Sequence, residues 1–220
     1  GMPTYVQMGN IGFNTDAPII PGSAWLGKAY SPFTPSGPSR ENMNLTTQVS
    51  RLEDRRSLLK GLDKIQRDVD ASGVMDGIDG MNSQAFSLIL GKATQAFDMK
   101  QEDPRVVDKY GGGLGQSLLT ARRLCEVGCG FVAVSLQGWD MHGNVAGGMN
   151  SRGPQVDRAV SAFVSDIHQR GLDKNILLVI SGEFGRTPRI NKNAGRDHWG
   201  PLSTLALAGG GLNMGQVIGR

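Results

Sequence analysis

Residues 130–180 read GFVAVSLQGWDMHGNVAGGMNSRGPQVDRAVSAFVSDIHQRGLDKNILLVI. The run 130–136 is apolar and β-branched, which predicts a strand, and 175–180 predicts a second one. Between them Val156, Val160, Phe163, Val164 and Ile167 fall on one stripe of a helix over 154–170, with Gly171 as its cap. Strand, amphipathic helix and strand make a βαβ unit. Continuous apolar strands alternating with such helices imply an α/β fold, a mostly parallel sheet flanked by helices on both faces, with ligands held at the carboxyl ends of the strands.

Upstream, residues 115–128 predict a helix ending at Gly128. Leu52, Leu58, Leu59, Leu62, Ile65 and Val69 keep helical spacing, as do Met81, Ala85, Leu88, Ile89, Ala93 and Ala96. Residues 9–44 carry Pro18, Pro21, Pro32, Pro35 and Pro38 among Gly and Ser, the composition of an irregular arm. The chain therefore reads as a single α/β domain fragment over 1–220: an irregular arm at 1–44, a helical segment at 45–128 and a βαβ core at 129–220. Gly1-Met2 resembles a tag scar before a short extended stretch at 3–8. At the other end, 205–208 predicts a buried strand, 209–213 a turn and 216–218 a return strand, so the fold is expected to be incomplete at both ends and open to self-association through exposed sheet edges.

Composition narrows the function classes. The chain has 220 residues, 23 Lys+Arg against 20 Asp+Glu, and 32 Gly, well above the usual share of about 7%. No apolar run approaches the roughly 18 residues of a spanning helix, so no membrane span is expected. Charges of both signs alternate along the chain instead of clustering, which argues against a nucleic-acid partner and leaves an anionic small molecule open. Cys125 and Cys129 are too few for a thiolate zinc site or a disulfide scaffold and read as small apolar residues.

Three polar loops are expected at the strand ends: GWDMHGN at 138–144, SGEFGRTPR at 181–189 and GRDHWGP at 195–201. Asp140 and His142, two apart in an extended segment, share a face. With Glu183 and His198 they make an N/O ligand set suited to a divalent metal such as zinc, iron or manganese rather than calcium alone. A hydrogen-bonded polar cluster that caps the strand ends is the alternative that spacing leaves open. Arg186, Arg189 and Arg196 surround the same edge, and a guanidinium fork matches a phosphate or sulfate. Asp197 is either a further ligand or a partner of Arg196, and its adjacency to His198 makes it a poor orienter of that ring. Trp139 and Trp199 adjoin these residues and read as site walls, and His168 as a surface residue. No H-E-x-x-H, G-x-S-x-G or P-loop pattern occurs, and GGGLG at 111–115 follows a helix-like segment rather than a strand, so it reads as a flexible loop.

GWDMHGN, SGEFGRTPRINKNAGRDHWGP and ALAGGGLN, together with PTYVQMG, WLGKAYSPF, RLEDRRSLL, AFDM and YGGGLGQSLLTARRLCEVG, resemble the DUF1501 family, related to the alkaline phosphatase and sulfatase superfamily. The resemblance implies an alkaline phosphatase-like fold and a metal-dependent hydrolase of phosphate or sulfate esters. It puts Asp140, His142, Glu183 and His198 at metal-ligand positions, and Phe184 where a second His is expected. Arg186 is the expected catalytic anion clamp, and zinc, manganese, iron or calcium the expected metal. It also implies an exported or periplasmic protein of which this chain is the C-terminal portion, lacking the GGPSQ-type stretch, the nucleophile region and the twin-arginine signal. A site incomplete in this way is expected to be inactive and empty or weakly loaded. A binding or structural protein that keeps the fold without the chemistry is the alternative.

Overall fold

The computed structural model describes residues 4–9, 31–35, 54, 57, 58 and 92–219. Most of the arm at 1–44, most of the helix expected over 52–69 and residues 81–91 of the helix expected over 81–96 lie outside the described residues. The chain divides into two compact units: Gly1–Gln101 with Arg123–Ser135, and Glu102–Arg122 with Leu136–Arg220.

In the first unit β1 (Tyr5–Met8) pairs in parallel with β2 (Phe131–Val134), in register from Tyr5↔Phe131 to Met8↔Val134. Phe33 occupies the other edge of β1, its N–H donating to the Tyr5 carbonyl and its carbonyl accepting from Gln7 N–H, each at 2.9 Å. The short helix α1 (Lys92–Phe97) ends on free carbonyls, and the Arg123 guanidinium donates to those of Ala96, Gln95 and Asp98. The helix α3 (Leu114–Glu126) stops where the sequence places its glycine. Gly128, at φ +99°, donates to Cys125 O, and Cys129 N–H reaches Leu124 O at 2.9 Å, the paired bonds of a Schellman end. Both cysteines are free. Burial pushes the Cys125 thiol up to about 11 and raises Cys129 as well, so neither is a thiolate at neutral pH.

In the second unit α2 (Pro104–Tyr110) begins on an Asp103 cap, whose carboxylate accepts from Arg105 N–H, and packs against α4 (Val145–Gln169). GGGLG is the tight turn from α2 into α3, and a Cβ on Gly115 would collide with the Tyr110 carbonyl. α4 starts nine residues before the expected 154. Asn144 caps it through Gly147 N–H, which offsets the poor helix propensity of Gly147, Gly148, Gly153 and Pro154. It ends as expected: Gly171, at φ +67°, donates to His168 O, and Leu172 N–H to Ile167 O. The buried stripe is Ala159, Ala162, Phe163, Asp166 and Ile167, whereas Val164, expected in it, is exposed.

Asp166 belongs to the core because it is paired. It accepts from Tyr110 Oη at 2.9 Å and Arg170 Nε at 2.7 Å, and Arg122 Nε lies 3.0 Å away as an ion-pair contact. Arg122 and Arg170 also hold Glu102. Arg122 is 1% exposed and Tyr110 2%, so Arg122, Tyr110 and the two carboxylates are shut off from water, and Arg170 closes the network from its exposed side.

The strands complete the unit: β3 (Leu177–Ser181), β4 (Gly185–Arg186), β5 (His198–Trp199) and β6 (Leu205–Gly209). β6 pairs antiparallel with β3, from Leu177↔Gly209 to Ser181↔Leu205, and not with the return strand expected at 216–218, which has no ladder. The reason lies in Gly209, Gly210 and Gly211, all at positive φ. This turn is tied to the start of β3, Gly210 N–H donating to Ile176 O and Gly211 N–H to Asp173 O. The strands at 175–180 and 205–208 are not buried as expected. Leu177, Val179, Leu205 and Leu207 share one face and are 43–57% exposed. A two-stranded sheet needs a covering layer on each face to bury both, and among the described residues that face has none. The architecture is mixed α/β, with one parallel and two antiparallel strand pairs among the described residues.

Candidate metal centre

The loop 138–144 is braced against residues 191–196 by backbone bonds on both sides. Gly143 and Ala194 form an antiparallel bridge, Asn144 N–H donates to Asn193 O, Val145 N–H to Ala194 O and Arg196 N–H to Met141 O. This contact requires glycine at 195, where a Cβ would lie 2.1 Å from the His142 carbonyl carbon. The β4–β5 ladder adds the third loop. Its register sets Arg186 directly opposite His198, and residues directly opposite in a ladder project to the same face.

Three loops thus bring three side chains to one oxygen of a fourth. Asp140 Oδ1 lies 2.8 Å from His198 Nε2, 3.0 Å from His142 Nε2 and 2.5 Å from Arg186 Nη2. The two imidazole Nε2 atoms are 3.2 Å apart. Ligand atoms of Asp140, His142 and His198 all fall within 4.8 Å of one another, on exposed side chains. Hydrogen bonds from His198 and then Arg186 hold the Asp140 carboxyl down at about 2.

Glu183 stands outside this group, and among the described residues its carboxylate makes no hydrogen bond or ion pair. Phe184, its neighbour, sets its ring 4.6 Å from that of His198. Arg186 Nη1 donates to the Arg196 carbonyl, and Arg196 Nη1 to that of Thr187, so both guanidinium groups are tethered to backbone. His168 is exposed and faces Asp173. Trp139 and Trp199 are each more than a third exposed.

One site residue, Asn191, escaped the sequence reading, and for another, Asp197, the actual role was not among those expected. Asp197 is neither a partner of Arg196 nor an orienter of its neighbour: its Oδ1 lies 2.9 Å from Nδ1 of His142. Asn191 Nδ2 donates both to that Asp197 oxygen and to the His142 carbonyl, while its Oδ1 accepts from Asn193 and Gly195 N–H. Hydrogen bonds from His142 and Asn191 lower the Asp197 carboxyl below its ordinary value. The signal in the sequence was weak, an Asn and an Asp inside a loop rich in both.

The donor set fits a divalent cation. Ligand bonds of about 2.1 Å in a tetrahedron set ligand atoms about 3.4 Å apart. The observed 2.8–3.2 Å separations therefore need to open by only a few tenths of an ångström. A carboxylate on Nδ1 fixes the His142 tautomer that offers the Nε2 lone pair.

A protein-family model described as a protein of unknown function, DUF1501, matches residues 1–220. The chain belongs to the DUF1501 family. No curated protein and no solved structure gives a significant match. The DUF1501 match takes in all three site loops. Among the described residues of this DUF1501 chain, no helix is long and apolar enough to cross a membrane.

Proposed function

We propose that this protein is a metal-dependent hydrolase of phosphate or sulfate esters, of alkaline phosphatase-like fold with a mostly parallel sheet. The observation that carries the reading is the convergence of Asp140, His142 and His198 ligand atoms within 4.8 Å, with a carboxylate behind one of the imidazoles. A divalent metal bound there would supply Lewis acidity and lower the pKa of water. The residues of the chain do the rest. Asp197 and Asn191 hold the His142 ring in place, Asp140 contributes the anionic ligand, and Arg186 offers its fork to the ester anion. Glu183, outside the group of three, is the remaining candidate for a fourth ligand.

The test is metal analysis of the purified full-length protein, with a panel of phosphate and sulfate esters. Stoichiometric zinc or manganese, lost in His142→Ala and His198→Ala, together with turnover of an ester, is the expected result. Absence of bound metal overturns the reading. A lowered melting temperature in the alanine variants with no change in metal content would leave the cluster as a tie between loops.

A second reading rests on Phe184. Its apolar ring beside His198 occupies space that a further ligand would need, which favours a binding protein that holds a metal without turning over esters. Tight metal with no turnover of any ester selects it.

A further inference from the structure

Asp140 Oδ1 is the oxygen a metal would take, and Arg186 already holds it at 2.5 Å. The same oxygen also meets both imidazoles, so a side-chain cation stands on the carboxylate oxygen that an ion would need. Arg186 is fixed there on two sides: its backbone by the ladder pairing with His198, and Nη1 by the Arg196 carbonyl. Its Nη2 therefore stays on Asp140 Oδ1 unless another acceptor takes it, and a metal entering there would face a second cation across a single carboxylate oxygen.

We propose that Arg186 is an internal competitor for the metal site, and that an oxyanion relieves the competition, so that metal and anion bind cooperatively. A sulfate or phosphate accepting from Nη2 draws the guanidinium off Asp140 Oδ1 and neutralises it beside the incoming metal. The carboxylate oxygen is thereby freed for the ion, and by linkage the bound metal favours the anion to the same degree. This inference rests on the metal reading above and adds its regulation: the site loads its metal in the presence of the anionic group it acts on.

Isothermal titration of zinc into the metal-free protein, in sodium sulfate and in sodium chloride of matched ionic strength, tests it. Sulfate should tighten zinc binding by about fivefold or more, the lower range of a typical coupling. In Arg186→Gln, zinc should bind tighter than in wild type in chloride, and sulfate should add nothing. Zinc binding that is equal in both salts and equal in both proteins overturns the inference and leaves the metal reading standing. Zinc binding by neither protein overturns both. Zinc binding by Arg186→Gln with none by wild type in chloride supports the competition directly.

Discussion

Asp197 Oδ1 and His142 Nδ1, 55 residues apart in the chain, lie 2.9 Å from each other. This pairing fixes the orientation of the exposed His142 ring, because a donor commitment at Nδ1 leaves the Nε2 lone pair facing Asp140 and His198. Asp197→Asn is expected to weaken zinc binding by about 10–100-fold while leaving the melting temperature of the metal-free protein within a few degrees. Competition with a chromophoric chelator measures the first, and thermal unfolding the second.

The loop contact at Gly195 separates steric need from backbone freedom. Gly195→Ala drives a methyl into the His142 carbonyl and should abolish metal binding by displacing the ligand. Gly171→Ala meets nothing within 4 Å, so its cost is only that of a left-handed alanine at the end of α4, about 1 kcal/mol, with metal binding intact. Metal titration should therefore separate the two variants, and chemical denaturation should read the small cost at Gly171.

Arg122 neutralises Glu102 and Asp166 out of contact with water. Arg122→Leu leaves the network one cation short and should destabilise by about 3–5 kcal/mol, read from urea unfolding. Tyr110→Phe should cost only about 1 kcal/mol, since Asp166 keeps both arginines.

Two groups set the sign of the pH dependence. Burial first, and then the Asp166 charge, raise the Tyr110 phenol above its ordinary value of 10.0. A raised folded pKa means that its contribution is fully present below about pH 10 and is lost as pH rises beyond it. The urea midpoint should therefore fall in the alkaline range in wild type and fall less steeply in Tyr110→Phe. Asp140 has the opposite sign. Its folded value of about 2 lies below the unfolded one near 3.9, so its stabilisation is present above about pH 4 and fades as pH falls through 2. With a side chain 66% exposed that effect is small, and Asp140→Asn should flatten only the acid end of the curve.

Local chemistry was legible in the chain itself. Glycine at 128 and 171 stops a helix wherever a left-handed residue is needed, and the apolar runs at 131–134, 177–181 and 205–209 became strands as their β-branched and apolar composition required. The D-x-H pair and the polar loops were visible for the same reason: residues two apart in an extended loop meet through geometry that spans only a few bonds.

Strand partners, burial and the outer contacts of the site were decided elsewhere. Nothing local distinguishes β3 from residues 216–218 as the partner of β6; a glycine turn bonded back to Ile176 and Asp173 does. Asp197 sits beside His198 in the chain yet serves His142, and Arg186 meets Asp140 because a two-residue ladder faces it toward His198. Propensity and spacing act over a few residues, whereas a ligand set is made by hydrogen-bonded loops that fix where distant side chains end, and that information exists only once the chain has closed on itself.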